Sequence, residues 1–456
     1  MQGVTATLHP ERIEAPVLLV KPCMMLCGIL AVLKVVPVLV SVVMLGLAIY
    51  AWRGAKESIQ ALSVMFLLLN LNPAVFYFWG QGASLRWLIL GSAFGRLVAD
   101  AILSNRKWPF KVNMQLLLYA AVIVILSAIS SRLPAISIFK AVAFFMGAVT
   151  ILTGFYRTRD EQAYWFSWFF SVFVLMLCLS LPLYFSAAGF FTNGRGFQGI
   201  LNHPQTLGPV TAPLTAALTM WVFRSERQSI IHLAVLCAGL FVIYASQSRT
   251  ALLMYTASLL VAGVVVWMRR RAPVRRKKPL FPVAVKLLGV LTMALLLVSQ
   301  GRVIDDKVQQ FLLKKSETEE SLSFQVRSSM VARQMANFET QPLTGIGFGV
   351  PSSVDDWVSL STGFLGIPTG FPVEKGFLPS AVLEETGLIG ASLLIVLLFT
   401  LVGPVLKKAT APYLAILLAC MLANTGEMVF FSFGGAGLYY WLLIGLSYNS
   451  VIPCVE

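Results

Sequence analysis

Charge is what this sequence has little of. Asp, Glu, Lys and Arg make up 12% of its 456 residues, about half the share carried by a soluble domain. With 57% hydrophobic residues and a mean hydropathy of +0.80, the chain lacks the polar surface that would cover a water-soluble globule. Alternating ten-residue segments are absent, which argues against a transmembrane β-barrel. Histidine is confined to His9, His203 and His232. The cysteines, Cys23, Cys27, Cys178, Cys237, Cys420 and Cys454, have neither disulfide-framework nor metal-ligand spacing. There is no Walker A run, HExxH, CxxC pair or paired acidic motif, so the sequence gives no support to nucleotide hydrolysis or a metal site. The N-terminus lacks the short apolar core and small-residue cleavage site of a secretory signal peptide.

What is there is a series of apolar runs of roughly 18–25 residues, the length that crosses a hydrocarbon core as helix. They lie near 35–52, 59–80, 86–104, 113–130, 134–156, 164–186, 207–223, 229–246, 250–268, 279–300, 383–406, 412–432 and 435–449. A further stretch, 16–33, is broken by Lys21 and Pro22 and reads as another span or an interfacial helix. The expectation is an all-α integral membrane protein of about 12–14 transmembrane helices. Its organisation reads as a tail and possible first segment (1–34), a transmembrane bundle (35–300), a large outer loop (301–382) and C-terminal helices (383–456). No internal repeat is visible, so the inverted-repeat signature of many transporters is missing.

The net charge of +15 would suit nucleic acid, but its distribution points elsewhere. Arg53 and Lys56, Arg106, Lys107 and Lys111, Arg157 and Arg159, Arg224 and Arg227, the run RRRAPVRRKK from Arg269 to Lys278, and Lys407 and Lys408 all fall in one alternate set of loops. The opposite short loops hold only Arg86, Arg132, Arg195 and Arg249. The first set is therefore expected to be cytoplasmic. That places on the outer side the turn 187–206, the tight turn Ser246–Arg249 and the long segment 301–382. Within the last, 321–338 has Phe324, Met330, Val331, Met335 and Phe338 near helical spacing. It predicts an amphipathic helix on or near the membrane surface. QPLTGIGFG then predicts a tight loop, and a Ser/Gly/Pro-rich flap runs on to Phe371.

Arg195, Arg249 and Arg327 are the outer-side cations to consider. Arginine keeps its charge and meets phosphate with a planar fork of donors, so several converging near the headgroups would suit a lipid-linked diphosphate. The plain reading of each is a snorkelling side chain. His203, before Pro204 at a helix start, is either a general base or that helix's cap. Glu374, Glu384, Glu385 and Glu427 are carboxylates near the outer boundary that either take a proton from a sugar hydroxyl or pair with a nearby cation. Arg96 and Asp100, at i and i+4 within a span, read as a structural pair or a proton relay.

Four pieces, RGFQGILNHPQTLG (195–208), SQSRTALL (246–253), Arg327 with PLTGIGFG (342–349), and EKGFLPSAVLEETGLIG (374–390), taken in this order and all on the outer side, resemble the O-antigen ligase and polymerase family of membrane glycosyltransferases. The resemblance runs from about residue 60 to 449. It implies a GT-C-like helical fold and a metal-independent, inverting-type transfer of glycan from an undecaprenyl-diphosphate carrier. It also implies a bacterial inner membrane with the active site facing the periplasm, and no cofactor. Arg249 and Arg327, with Arg195, would then hold the donor diphosphate. One departure stands out. Ligases of the family carry a His at the start of the segment leading to E-x-G-x-x-G, where this chain has Gly376. The chain is closer there to the polymerase and exopolysaccharide branch. Glu374, His203 and Glu427, in that order, are the candidate bases.

The implied function is joining lipid-linked repeat units into a surface polysaccharide. The alternatives are ligation onto lipid A–core or another terminal acceptor, transport of lipid-linked sugars, and a non-catalytic assembly role. Expected partners are the lipid-linked oligosaccharide, a glycan or lipid A–core acceptor, membrane lipids and a chain-length regulator. Nucleic acid is not expected.

Overall fold

The computed structural model describes residues 15–77, 83–103, 109–190, 196–225, 229–269, 319–353, 361–362, 368–370 and 375–452. Among these the chain is helical, apart from a two-stranded antiparallel ribbon that pairs Ser361–Thr362 with Pro368–Gly370. The helices are α1 (Val20–Val35), α2 (Leu39–Ala51), α3 (Ala55–Leu69), α4 (Arg86–Leu103), α5 (Phe110–Ser130), α6 (Pro134–Arg157), α7 (Gln162–Ser180), α8 (Pro204–Arg224), α9 (Ile230–Ala245), α10 (Arg249–Arg269), α11 (Glu319–Thr340), α12 (Leu378–Lys408), α13 (Ala411–Leu422) and α14 (Ala436–Asn449).

Among the described residues six stretches, 111–130, 134–157, 159–185, 204–224, 249–269 and 378–408, are long and apolar enough to cross a membrane. Leu39–Ala51, Ile230–Ala245 and Ala411–Thr425 are shorter apolar helices. This is a polytopic all-α membrane protein. Each apolar run within the described residues contains a helix; the run at 279–300 lies outside them. The stretch broken by Lys21 and Pro22 is α1 itself. Pro22 sits in its first turn, where the N–H has no intrahelical partner to lose. Central α8 packs against α9, α10 and α13, while α14 lies against α3 and α6.

Two helices stop short of their apolar runs, both at the same end of the bundle. Helix α3 ends at Leu69 because Asn70 and Asn72 redirect the chain and Pro73 disfavours helix in the residue before it. The Asn72 side-chain amide donates to the carbonyls of Ala188 and Gly199, 2.7 Å each. Helix α13 ends at Leu422, and Asn424 turns the chain, its Oδ1 accepting the Phe430 N–H at 2.8 Å. The following loop, 423–435, folds back onto the bundle, and Trp441 Nε1 donates to Phe430 O at 2.6 Å.

The described residues of the loops rich in Lys and Arg, among them Lys56, Arg157, Arg269 and Lys408, share the other end. Lys56 pairs with Glu161 there. Arg269 donates to the last carbonyls of α12 and its cap, at 2.6 Å to Ala409 O and 3.1 Å to Val405 O, the favoured place for a cation on a helix dipole. His232 Nε2 lies 3.0 Å from Pro16 O, which puts the chain just before α1 at this end too. Asp100 is held by Arg96 at 2.9 Å, the i, i+4 pair, and by buried Arg157 at 3.3 Å. Arg157 also donates to Leu97 O at 3.0 Å. Arg96 and Asp100 are thus part of a structural cluster at the basic end.

Two measurements follow. Asp100→Asn leaves two guanidinium groups without their shared anion, so thermal unfolding in detergent should show a loss of roughly 3–5 kcal/mol. Arg96→Ala, at the more exposed arginine, should cost about 1 kcal/mol or less. For orientation, an impermeant maleimide should label Ala187→Cys in sealed cells and Lys408→Cys only after permeabilisation, in a background with the native cysteines replaced. The reverse pattern would invert the topology.

Candidate functional site

The end opposite the basic loops gathers the motifs. The first pair is 196–208 with 246–253. The Phe197 N–H donates to Ala245 O at 2.9 Å, tying the incoming loop to the end of α9. His203 caps α8, its Nδ1 accepting the Gln205 N–H at 3.1 Å, and Pro204 takes the first helical position. The turn into α10 places Gln247 at φ +54, a left-handed conformation uncommon outside glycine. Arg249 is the first residue of α10 and is exposed. Gly208 lets α8 approach this turn: a Cβ there would sit 2.3 Å from Ser246 Oγ and 3.0 Å from Ala251 Cβ. Two helix N-termini, those of α8 and α10, therefore start side by side at one end. Both carry the partial positive charge that attracts anions.

The second pair is 341–353 with 375–390. Helix α12 is broken at Gly387, φ +59. The loop 342–347 fills the break. Ile346 N donates to Glu384 O at 2.9 Å and Gly347 N to Glu385 O at 3.1 Å, while Leu388 N donates to Pro342 O at 2.9 Å and Ile389 N to Leu343 O at 3.3 Å. The approach needs glycine on both sides. A Cβ at Gly387 would lie 2.3 Å from Leu343 O, and one at Gly345, φ +68, 2.4 Å from the Glu385 carbonyl carbon. GIGFG is thus a splint for a membrane helix, which accounts for its glycines without a nucleotide.

The side chains of this pair form a buried charge cluster. Lys375 Nζ lies 2.8 Å from Glu384 Oε2 and 3.0 Å from Glu385 Oε1, with all three side chains no more than 2% exposed. Asn337 of α11 donates to Glu384 Oε1 at 2.7 Å, and Ser352 Oγ to Glu384 Oε2 at 2.9 Å. Gly349 N donates to Glu385 Oε2 at 2.8 Å. Lys140, from α6, donates to Gly349 O at 2.6 Å. Buried Gln334 of α11 bridges Lys375 O and Ser380 Oγ at 2.9 and 2.6 Å. So α11 docks on α12 through polar side chains. Among the described side chains of α11, Met330, Val331, Met335 and Phe338 are only partly buried, and Gln334 is deeply buried.

Loop 423–435 touches both pairs. Gly426 packs on Thr250, the second residue of α10; a Cβ there would be 2.3 Å from Thr250 Oγ1. On the other side Phe431 meets Phe348 at 4.9 Å and Phe144 at 5.0 Å between ring centroids. Half-buried Glu427 follows Gly426 directly. Arg86, counted above only among the sparse outer cations, packs against Gly434 of the same loop.

The structure therefore brings Arg249, His203 and Glu427 to one end, each on an element that contacts the next. Arg195 and Glu374 lie outside the described residues. Arg327 belongs to α11, and only its backbone is described. Sequence reading passed over Lys375 and Lys140 as partners. The available signal was a lysine inside the apolar run SIFKAVAFF, since intramembrane ionisable groups are paired or functional. It also passed over Asn337 and Ser352, whose partners are remote in sequence and leave no local trace.

The fold and this end of it define a class: a multi-pass helical membrane protein whose described loops at the non-basic end touch one another. Residues 233–368 match a protein-family model described as O-antigen ligase. That segment includes Arg249, α11 with Arg327, and the GIGFG loop. No curated protein matches the chain.

The cluster carries its own prediction. Lys375→Met leaves two buried carboxylates without their shared cation and should cost roughly 3–5 kcal/mol of stability. Adding Glu384→Gln and Glu385→Gln should recover part of that loss in the same thermal unfolding assay in detergent. No recovery would mean that lost packing, not charge, dominates.

Proposed function

We propose that the protein is a glycosyltransferase that joins glycan units carried on undecaprenyl diphosphate into a surface polysaccharide, at the periplasmic face of a bacterial inner membrane. The observation that carries this reading is the position of Arg249. It is exposed, it opens α10 beside the start of α8, and it lies inside the segment similar to the O-antigen ligase family. A guanidinium at paired helix N-termini stabilises the negative charge that develops on a departing diphosphate. Arg327 and Arg195 are assigned to the same anion.

In the reaction, the acceptor hydroxyl attacks the anomeric carbon of the lipid-linked sugar. The bond to the diphosphate oxygen breaks and the carrier leaves as its diphosphate. A single displacement of this kind inverts the anomeric centre. A base takes the hydroxyl proton, and among the described candidates Glu427 suits that role best. His203 spends its Nδ1 lone pair on the helix cap, whereas Glu427 adjoins the residue packed on Thr250. Glu374 stays a candidate through its place beside Lys375. Glu384 and Glu385 serve as structural anions, being buried against Lys375.

Ligation to lipid A–core or another terminal acceptor is the second reading. The description of the matching family favours it, and Gly376 at the position of the family's ligase histidine favours polymerisation. Accessory partners include a chain-length regulator in the first case.

Purified protein in liposomes, given an undecaprenyl-diphosphate-linked repeat unit as sole substrate, should produce a ladder spaced by one repeat. Arg249→Ala should slow it by about 100-fold or more, with Arg249→Lys intermediate because a point charge replaces a two-pronged donor. Glu427→Gln should lower the rate without lowering donor binding. Transfer seen only when a lipid A–core acceptor is added would make the protein a ligase. Transport of the donor with no new glycosidic bond, or full activity of a folded Arg249→Ala variant, would overturn the proposal.

A further inference from the structure

In an unbroken α12 the Leu388 and Ile389 N–H groups would donate to Glu384 O and Glu385 O, four residues back. Those four groups are the ones the loop takes over. Ile346 and Gly347 supply donors to the two carbonyls, and Pro342 and Leu343 supply acceptors to the two N–H groups. The loop has replaced two helical bonds with four of its own. Its withdrawal leaves the helix with complementary donors and acceptors already in sequence register, and only Gly387 must turn from φ +59 to helical values. Glycine makes that turn at no steric cost.

The side chains are arranged consistently with this. What the loop and α11 give to Glu384 and Glu385 is neutral: one backbone N–H from Gly349, the Ser352 hydroxyl and the Asn337 amide. The cation that bridges the two carboxylates is Lys375, three residues before α12 on the same stretch of chain. Loop withdrawal therefore leaves both carboxylates in contact with Lys375, so neither loses its cation along with the loop. Lys140, which holds Gly349 O from α6, stands within electrostatic reach of Glu385 and Lys375 and joins the same cluster.

We propose that α12 is a two-state element: the loop 342–349 and the helical bonds 388→384 and 389→385 compete for the same backbone groups, so that release of the loop and closure of the helix are one transition. Release withdraws Phe348 from Phe431 and thereby frees one side of loop 423–435, which carries Glu427. The transition gates the outer end of the bundle whatever chemistry occurs there.

Hydrogen exchange of the full chain in lipid nanodiscs, resolved to single amides by fragmentation, tests this. In the unmodified protein the Ile346 and Gly347 amides should exchange about tenfold or more faster than those of Leu388 and Ile389, although all four belong to one set of pairings. Gly387→Ala, which disfavours the left-handed turn and favours helix, should accelerate Ile346 and Gly347 further. Leu388 and Ile389 should stay within about twofold of the parent. Gly345→Ala, acting from the loop side, should give the same pattern. Equal exchange of all four amides in the unmodified protein would overturn the proposal, because simple local opening exposes both partners together. So would joint acceleration of all four amides in folded variants, or no change at Ile346 and Gly347. The readout needs no glycan substrate, so it stands apart from the catalytic assay.

Discussion

A backbone N–H or C=O left without a partner in hydrocarbon costs several kcal/mol, and one end of this bundle is arranged around that cost. Three elements there depart from regular helix within or beside apolar runs: the end of α3, the break in α12 and the loop after α13. The first two are satisfied by segments distant in sequence, the third by residues close to it in the chain. Asn72 takes up carbonyls of the 187–200 region. The loop 342–347 completes α12. Asn424 and Trp441 hold Phe430 from both its N–H and C=O. Irregular backbone survives in membrane proteins where protein surrounds it or a water-filled cavity meets it. Its concentration at one end marks where the chain has stability to spend on something other than crossing the bilayer.

The same end separates two kinds of charge. Lys375, Glu384 and Glu385 are sealed from solvent and paired within hydrogen-bond distance, which offsets the cost of burying ions. Arg249 is exposed at the start of a helix. A charge of the first kind orders the loops, and a charge of the second kind faces solvent at the end of the bundle. Sorting the ionisable groups in this way moves Glu384 and Glu385 from possible chemistry to architecture. At the basic end, Asp100 between Arg96 and Arg157 is architecture of the same sort.

Much of the fold was legible because the bilayer imposes one length and one composition on every span, and alternate loops reveal their side through Lys and Arg. The helix ends at Leu69 and Leu422 were not, since an apolar run such as LNPAVFYFWG carries no hydrophobic signal of where helix stops. The candidate site was legible in its pieces and not in its assembly. SQSR, NHPQ and GIGFG each stood out by composition. That Gly426 would rest on Thr250, or that GIGFG would fill a break at Gly387, depends on contacts between segments far apart in the chain. The glycines of GIGFG suggested a loop of some special purpose, and their reason is close approach of two backbones. His203 illustrates a different limit. A histidine before Pro204 is compatible with a cap and with a base, and only the position of the Gln205 N–H separates the two uses of one lone pair.

These features bear on why a transfer reaction suits this end better than transport does. A transporter needs a site near the middle of the membrane with access from both sides. Along central α8, Thr211, Thr215 and Thr219 spend their hydroxyls on carbonyls of the preceding turn. The exposed arginine, the paired helix starts and the loop bearing Glu427 lie instead at one boundary. A lipid carrier would present its diphosphate at that depth while its chain remains in the bilayer. An anion held there needs no passage through the protein. It needs a fixed positive end, which α8 and α10 supply through their dipoles, and a side chain that keeps its charge at a boundary of low polarity. Arginine meets that last requirement and lysine meets it less well, because an ammonium sheds its proton more readily when desolvated.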